Sequence, residues 1–124
     1  MPVHANTGGV IVNRERELPK LTHLQFLVVA QLLDGERSGR QMRSDLAAEG
    51  LEKSGPGFYQ MMARMEESGL VEGWYGQAQI GDQDVTERRY RLANKGRKLW
   101  GSTLRFYLRY ASRSEAKEVT TASH

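Results

Sequence analysis

The sequence predicts a mainly α fold with one small β-hairpin, an α+β arrangement. Three observations carry this: three short apolar-periodic segments that begin at capping residues and stop at glycines, two extended segments between Leu70 and Leu92, and a long last segment with aromatic residues at helical spacing. One compact unit with tails accounts for 124 residues, too few for two independent cores.

The first helix begins at Thr22, followed three residues later by Gln25, a spacing that lets each side chain satisfy the other residue's backbone N–H. It is expected to run to about Asp34, where Gly35 can end it. Leu24, Phe26, Leu27, Val28, Val29, Ala30, Leu32 and Leu33 leave it little polar face, so it must be covered on most sides. The second helix starts near Ser38 and continues through Met42 and Leu46 to Glu49, with Gly50 as its stop. The third opens at Ser54-Gly55-Pro56-Gly57, proline fitting a first turn that needs no N–H donor, and ends at Ser68-Gly69. Phe58, Met62 and Met65 are spaced to face the core; Tyr59, Gln60, Ala63 and Arg64 then point elsewhere. Leu70–Tyr75 and Thr86–Leu92 read as strands, and the Gly-, Gln- and Asp-rich stretch from Gly76 to Asp84 reads as a mobile tip. Asn94 to about Arg113 reads as a long helix, with Arg97, Arg105, Arg109 and Arg113 on one stripe and Trp100, Leu104, Tyr107, Leu108 and Ala111 on another.

Composition excludes several functions. The chain has no cysteine, which removes disulfides, thiolate zinc sites and cysteine nucleophiles together, and His4, His23 and His124 are too far apart for a metal-ligand pattern. No metal or cofactor is expected. The longest apolar run, Phe26–Ala30, is far too short to span a bilayer and the N-terminus lacks a signal-peptide core, so the expected setting is the cytoplasm, with no membrane partner. No nucleophile, base and orienting group recur at motif spacing, and Asp45, Glu66, Glu67 and Glu72 are expected on exposed surfaces, so an enzyme is not expected. The net charge is only +3, but from Arg88 to Arg113 nine cationic residues occur without one Asp or Glu, which concentrates positive charge on part of the surface.

Three short helices, a hairpin and a closing helix describe a winged helix-turn-helix, in which the third helix enters the major groove of DNA and the hairpin lies beside the phosphates. Ser54-Gly55-Pro56-Gly57-Phe58-Tyr59, then Arg64 through Val71, then Arg88 through Gly96, with the Ser38-Gly39 entrance to the second helix, resemble successive motifs of the PadR-type transcriptional regulators over roughly Leu21 to Tyr110. The resemblance implies a homodimer, usually a repressor, with a winged domain and a C-terminal dimerisation helix, and no enzymatic activity. The division it suggests is a flexible arm over 1–18, the winged domain over 19–93, the dimerisation helix over 94–113 and a flexible tail over 114–124. Departures from the pattern are Arg40, where an aromatic residue is usual, and Ala93, where threonine often begins the last helix and whose capping role passes to Asn94.

Within this reading Arg40, Arg43, Tyr59, Arg88 and Arg89 are the candidate phosphate contacts, and Ser54 and Gly57 let the third helix approach closely. Gln60 and Arg64 are the candidate base readers, since glutamine matches adenine and arginine matches guanine in two-bond geometry. Asp82 and Asp84 at the wing tip repel phosphate, so wing contacts are expected at its base. Trp100, Leu104, Tyr107 and Leu108 are assigned to the dimer interface. The resemblance adds a second use for Trp100, stacking on a small aromatic effector. The alternative to double-stranded DNA is a winged helix that docks on another protein without binding nucleic acid.

Overall fold

The computed structural model describes residues 21–51 and 53–122, and the side chains within them other than those of 115–122. The arm expected over 1–18 lies outside the described residues. Thr22 opens α1 (His23–Gln31) as expected: its hydroxyl accepts from the Gln25 N–H at 3.1 Å, and the Gln25 side chain accepts from the Thr22 N–H at 2.9 Å. The helix stops short of Asp34, at a Leu32 cap whose N–H turns back to the Val29 carbonyl. Gly35 has a φ of +144°, but in the turn beyond the cap, where it redirects the chain into β1 (Arg37–Ser38). This two-residue strand has no sequence periodicity, and it turns the expected two-stranded hairpin into a three-stranded antiparallel sheet of order β1-β3-β2.

Ser38 then caps α2 (Gly39–Ala48), with Gln41 completing a reciprocal pair that the sequence reading did not single out. The cap of α3 (Gly55–Glu67) is Ser54, whose hydroxyl accepts from the Gly57 N–H at 3.1 Å, and Pro56 sits in the first turn. Gly50 and Gly69, at φ +79° and +77°, follow the C-caps of the two helices as expected.

The hairpin is more regular than its composition suggests. β2 (Val71–Ile80) and β3 (Gln83–Leu92) pair without a break from Val71↔Leu92 to Ile80↔Gln83, so the stretch from Gly76 to Asp84 is strand and turn, not a loop. Gly81 and Asp82 alone make the turn: Gly81 has φ +64° and Asp82 does not have positive φ, matching the two-residue turn that requires glycine first.

The last helix, α4 (Asn94–Ala122), runs nine residues past the expected Arg113. Glu115, Ala116 and Lys117 are strong helix formers, and they outweigh the Ser and Thr residues around them. Its first hydrogen bond runs from the Arg97 N–H to the Ala93 carbonyl, so Ala93 rather than Asn94 holds the cap position. Gly96 is buried against the hairpin root: a Cβ there would lie 2.1 Å from the Leu70 carbonyl oxygen.

Val28, Val29 and Leu32 of α1 and its cap, Met42 and Leu46 of α2, Phe58, Met61, Met62 and Met65 of α3, and Leu70, Val71 and Tyr90 of the hairpin form the core. Leu24, Phe26 and Leu27 are only partly covered, so α1 keeps one apolar side at the surface.

Candidate nucleic-acid interface

The side chains that anchor α3 also determine what it presents. Phe58, Met61, Met62 and Met65 are sealed in the core, and the 3.6-residue period therefore turns Gln60, Ala63 and Arg64 outward, all exposed. Gln60 and Arg64 are one helical turn apart and share the solvent face, as the sequence reading placed them.

At the N-terminal end of α3 an open cleft of about 650 Å³ is lined by Arg40, Arg43, Ser44, Ala47, Lys53 and Ser54. Three cations thus meet the end of a 13-residue helix whose first N–H groups attract anions. Lys53 is a member that the sequence reading missed; its place in a short linker gave no pattern to read. Among the described residues Arg43, Lys53 and Arg64 have no ion-pair partner, and the Arg43 Nε is buried without an acceptor. Arg40 is half exposed, with its Nε 3.3 Å from Glu87 Oε1.

Tyr59 is less available than expected. It lies half-buried across α2, edge-on to Phe58, with the Arg43 guanidinium 5.9 Å from its ring centroid. Gly39 gives it room, since a Cβ there would lie 2.6 Å from the Tyr59 ring and would push it aside. Ser54 and Gly57 form the cap itself, with the Ser54 hydroxyl occupied by the Gly57 N–H.

The wing arginines are not where the charge run suggested. Arg88 donates from Nη2 to both carboxylate oxygens of Glu66 on α3, at 2.7 and 2.8 Å, and its guanidinium lies 4.8 Å from the Tyr75 ring centroid and 5.4 Å from that of Tyr90. Burial alone would lower the Arg88 pKa, but its contacts with Tyr90 and Glu66 outweigh this and raise it. Arg89 bonds Glu36 and Glu87, at 3.2 and 3.1 Å, and Arg91 bonds Glu72 and lies over Trp74. The three cations at the hairpin base thus each meet acids 2 to 53 positions away in sequence, Arg88 and Arg89 partly covered and Arg91 still exposed, and Glu66 is paired and partly buried rather than exposed. The stripe of Arg97, Arg105, Arg109 and Arg113 on α4 remains exposed, as do Lys95 and Lys98.

The residues assigned to the dimer interface divide as well. Trp100 packs internally: its ring stacks on Phe26 at 5.1 Å and 14°, and its indole N–H donates to the Phe26 carbonyl at 3.2 Å. One ring face is thus filled, which leaves less room for an effector than the sequence reading supposed. Leu104 is partly covered, whereas Tyr107, Leu108 and Tyr110 are about half exposed, an apolar strip continuous with the open side of α1 through the edge contact of Tyr107 with Phe26. Phe106 and Tyr110, aromatics that the sequence also points toward a second subunit, belong to this surface, their rings 5.1 Å apart and tilted by 53°.

No group of three or more potential metal ligands occurs among the described residues, and no helix there is long and apolar enough to cross a membrane.

No protein-family model matches the chain, and no curated protein sequence does. Solved structures match it. A PadR family transcription regulator from Clostridium difficile R20291 aligns with a TM-score of 0.63 at 16% identity, over 79% of this chain and 99% of that one. A PadR family transcriptional regulator from Eggerthella lenta DSM 2243 aligns at 0.56 and 20% identity, over 92% and 94%. Bacillus subtilis PadR in complex with operator DNA aligns at 0.54 and 16% identity, over 67% of this chain and 47% of that one. The fold is therefore the winged helix-turn-helix of the PadR-family transcription regulators, helices and a small antiparallel sheet closed by a long helix.

Proposed function

We propose that this chain is a sequence-specific, double-stranded-DNA-binding transcription regulator that acts in the cytoplasm as a homodimer, most simply as a repressor occluding its site, and that catalyses no reaction. The observation that carries the reading is the outward face of α3: Gln60 and Arg64 stand exposed on a helix seated in the core, next to a cleft of three cations at its N-terminus. In this reading Gln60 and Arg64 contact base edges, Arg40, Arg43 and Lys53 contact phosphate, and Tyr59 supports Arg43. Arg88 and Arg89, held by carboxylates, serve the wing's attachment. The structure of Bacillus subtilis PadR with operator DNA supports the partner class by likeness of fold.

The homodimer is supported by the strip of Tyr107, Leu108 and Tyr110 on α4 beside Leu24, Phe26 and Leu27 on α1, apolar surface that a second copy can cover. Two copies then present two α3 helices to a duplex.

The experiment is duplex binding across salt concentrations. The expected log-log slope is about −0.9 per phosphate neutralised, hence about −2.7 per subunit if each of the three cleft cations neutralises one phosphate. A response flat in salt, or no binding at low salt, rejects the proposal and leaves the protein-docking alternative. Sedimentation at micromolar concentration tests the dimer separately, a stable monomer being the adverse result.

A further inference from the structure

Five residues from α3 and both wing strands converge on one interaction. Tyr75 is the cross-strand partner of Arg88, and Gly73 the partner of Tyr90, so all four share the sheet face that packs toward α3. Gly73 supplies the space: a Cβ there would lie 2.3 Å from Arg88 Nη2 and 2.6 Å from Glu66 Oε1. Through that gap Arg88 reaches Glu66 while its guanidinium stays within cation–π range of Tyr75 and Tyr90. Side chains of both partners are only about a quarter exposed, 23% and 28%.

We infer that Arg88 is a positioning residue: by gripping Glu66 it sets the angle between the wing and α3, and with it the place on a duplex where the wing lands. The angle follows from the contacts alone; the landing place rests on the DNA-binding reading above. β1 supports β3 only as far as Ser38↔Arg89, so beyond Arg88 the hairpin projects as two strands with no third strand beside them. On the opposite face Arg40 meets Glu87, but Arg40 is half exposed and a contact of that kind is a weak tie. From the Tyr75↔Arg88 pair to the Gly81-Asp82 turn the hairpin extends about 20 Å, so a rotation of about 10° at the clip moves the tip by about 3.5 Å, the rise of one base pair.

The test needs no DNA for its first half. The chain has no cysteine, so spin labels on Ala63→Cys of α3 and Asp82→Cys of the wing tip report one distance, read in samples diluted with unlabelled chain. The otherwise unchanged protein is expected to give a narrow distribution, broadened or displaced by Arg88→Ala and by the milder Glu66→Gln, and narrowed again by Glu66→Arg combined with Arg88→Glu. A distribution unchanged in both single variants overturns the inference; folding of each is checked by its thermal transition. In the second half, footprints on a duplex protected by the wild-type protein are compared with those of Glu66→Gln and Arg88→Ala. Protection under α3 should persist while protection under the wing shifts or disappears. Uniform weakening of both overturns the landing role and leaves the DNA reading intact. A wild-type protein that protects no duplex overturns the DNA reading and the landing role with it, while the label distances still decide the angle.

Discussion

The α3 face and the wing base both carry arginines, but the structure treats them in opposite ways. Arg64 stands on a dry-backed helix with no acid partner among the described residues, whereas Arg88 and Arg89 are held by carboxylates and partly covered, and Arg91 pairs with Glu72 while staying exposed. The difference arises in the third dimension. On α3 the neighbours at three and four positions decide exposure; on a strand the residues opposite and the helices packed behind it decide as well, here Glu72 and Glu66, with Glu87 two positions along the same strand. A run of positive charge in sequence is thus a statement about supply, and only the fold determines how much of it reaches solvent.

The largest expected effect comes from removing the support of the outward face. Phe58→Ala deletes a fully buried ring beneath α3 and should cost about 3–5 kcal/mol in denaturant unfolding. A loss below 1 kcal/mol would show that α3 is not held from that side. Arg64→Ala comes next: it should reduce discrimination between a specific and a random duplex by about 1–3 kcal/mol at one base pair, and equal losses on both would remove its reading role. Smaller still, Arg43→Ala should make the salt slope shallower by about 0.9, while Arg89→Ala, whose guanidinium is already satisfied by Glu36 and Glu87, should leave the slope unchanged. A shallower slope for Arg89→Ala would erase the contrast between the two regions.

The smallest effect concerns pH. Burial pushes the Tyr90 hydroxyl above its ordinary pKa, with Arg88 opposing, so the native state keeps a proton that the unfolded chain loses near pH 10. Its contribution to stability is therefore complete below about pH 10 and falls as pH rises through the raised value. Tyr90→Phe should flatten that fall in alkaline unfolding curves; an identical fall would place the titration elsewhere.

Local chemistry was readable in advance and distant chemistry was not. Thr22 with Gln25, Ser38, Ser54 and the closing glycines 50 and 69 act within one turn of themselves, so their residue types were enough. The Gln41 partner of Ser38 had the same spacing and was available to the same reasoning. The Gly81-Asp82 pair was likewise a two-residue turn signal, obscured by the polar composition around it, which hid ten-residue strands. β1 is too short for any period. Arg88 with Glu66 and Trp100 with Phe26 join residues 22 and 74 positions apart, and no spacing rule reaches that far. The candidate face of α3 belongs to the first kind and the fate of the wing arginines to the second.

Gly96 fixes how α4 leaves the hairpin root. With a methyl group in place of its hydrogen, the start of α4 would be forced off the Leu70 carbonyl, and the far end of a helix running on to Ala122 would swing through a wide arc. If the proposed homodimer joins through that helix, this contact, together with the packing of Trp100 on Phe26, would set the reach from one α3 helix to the other and so the spacing of half-sites.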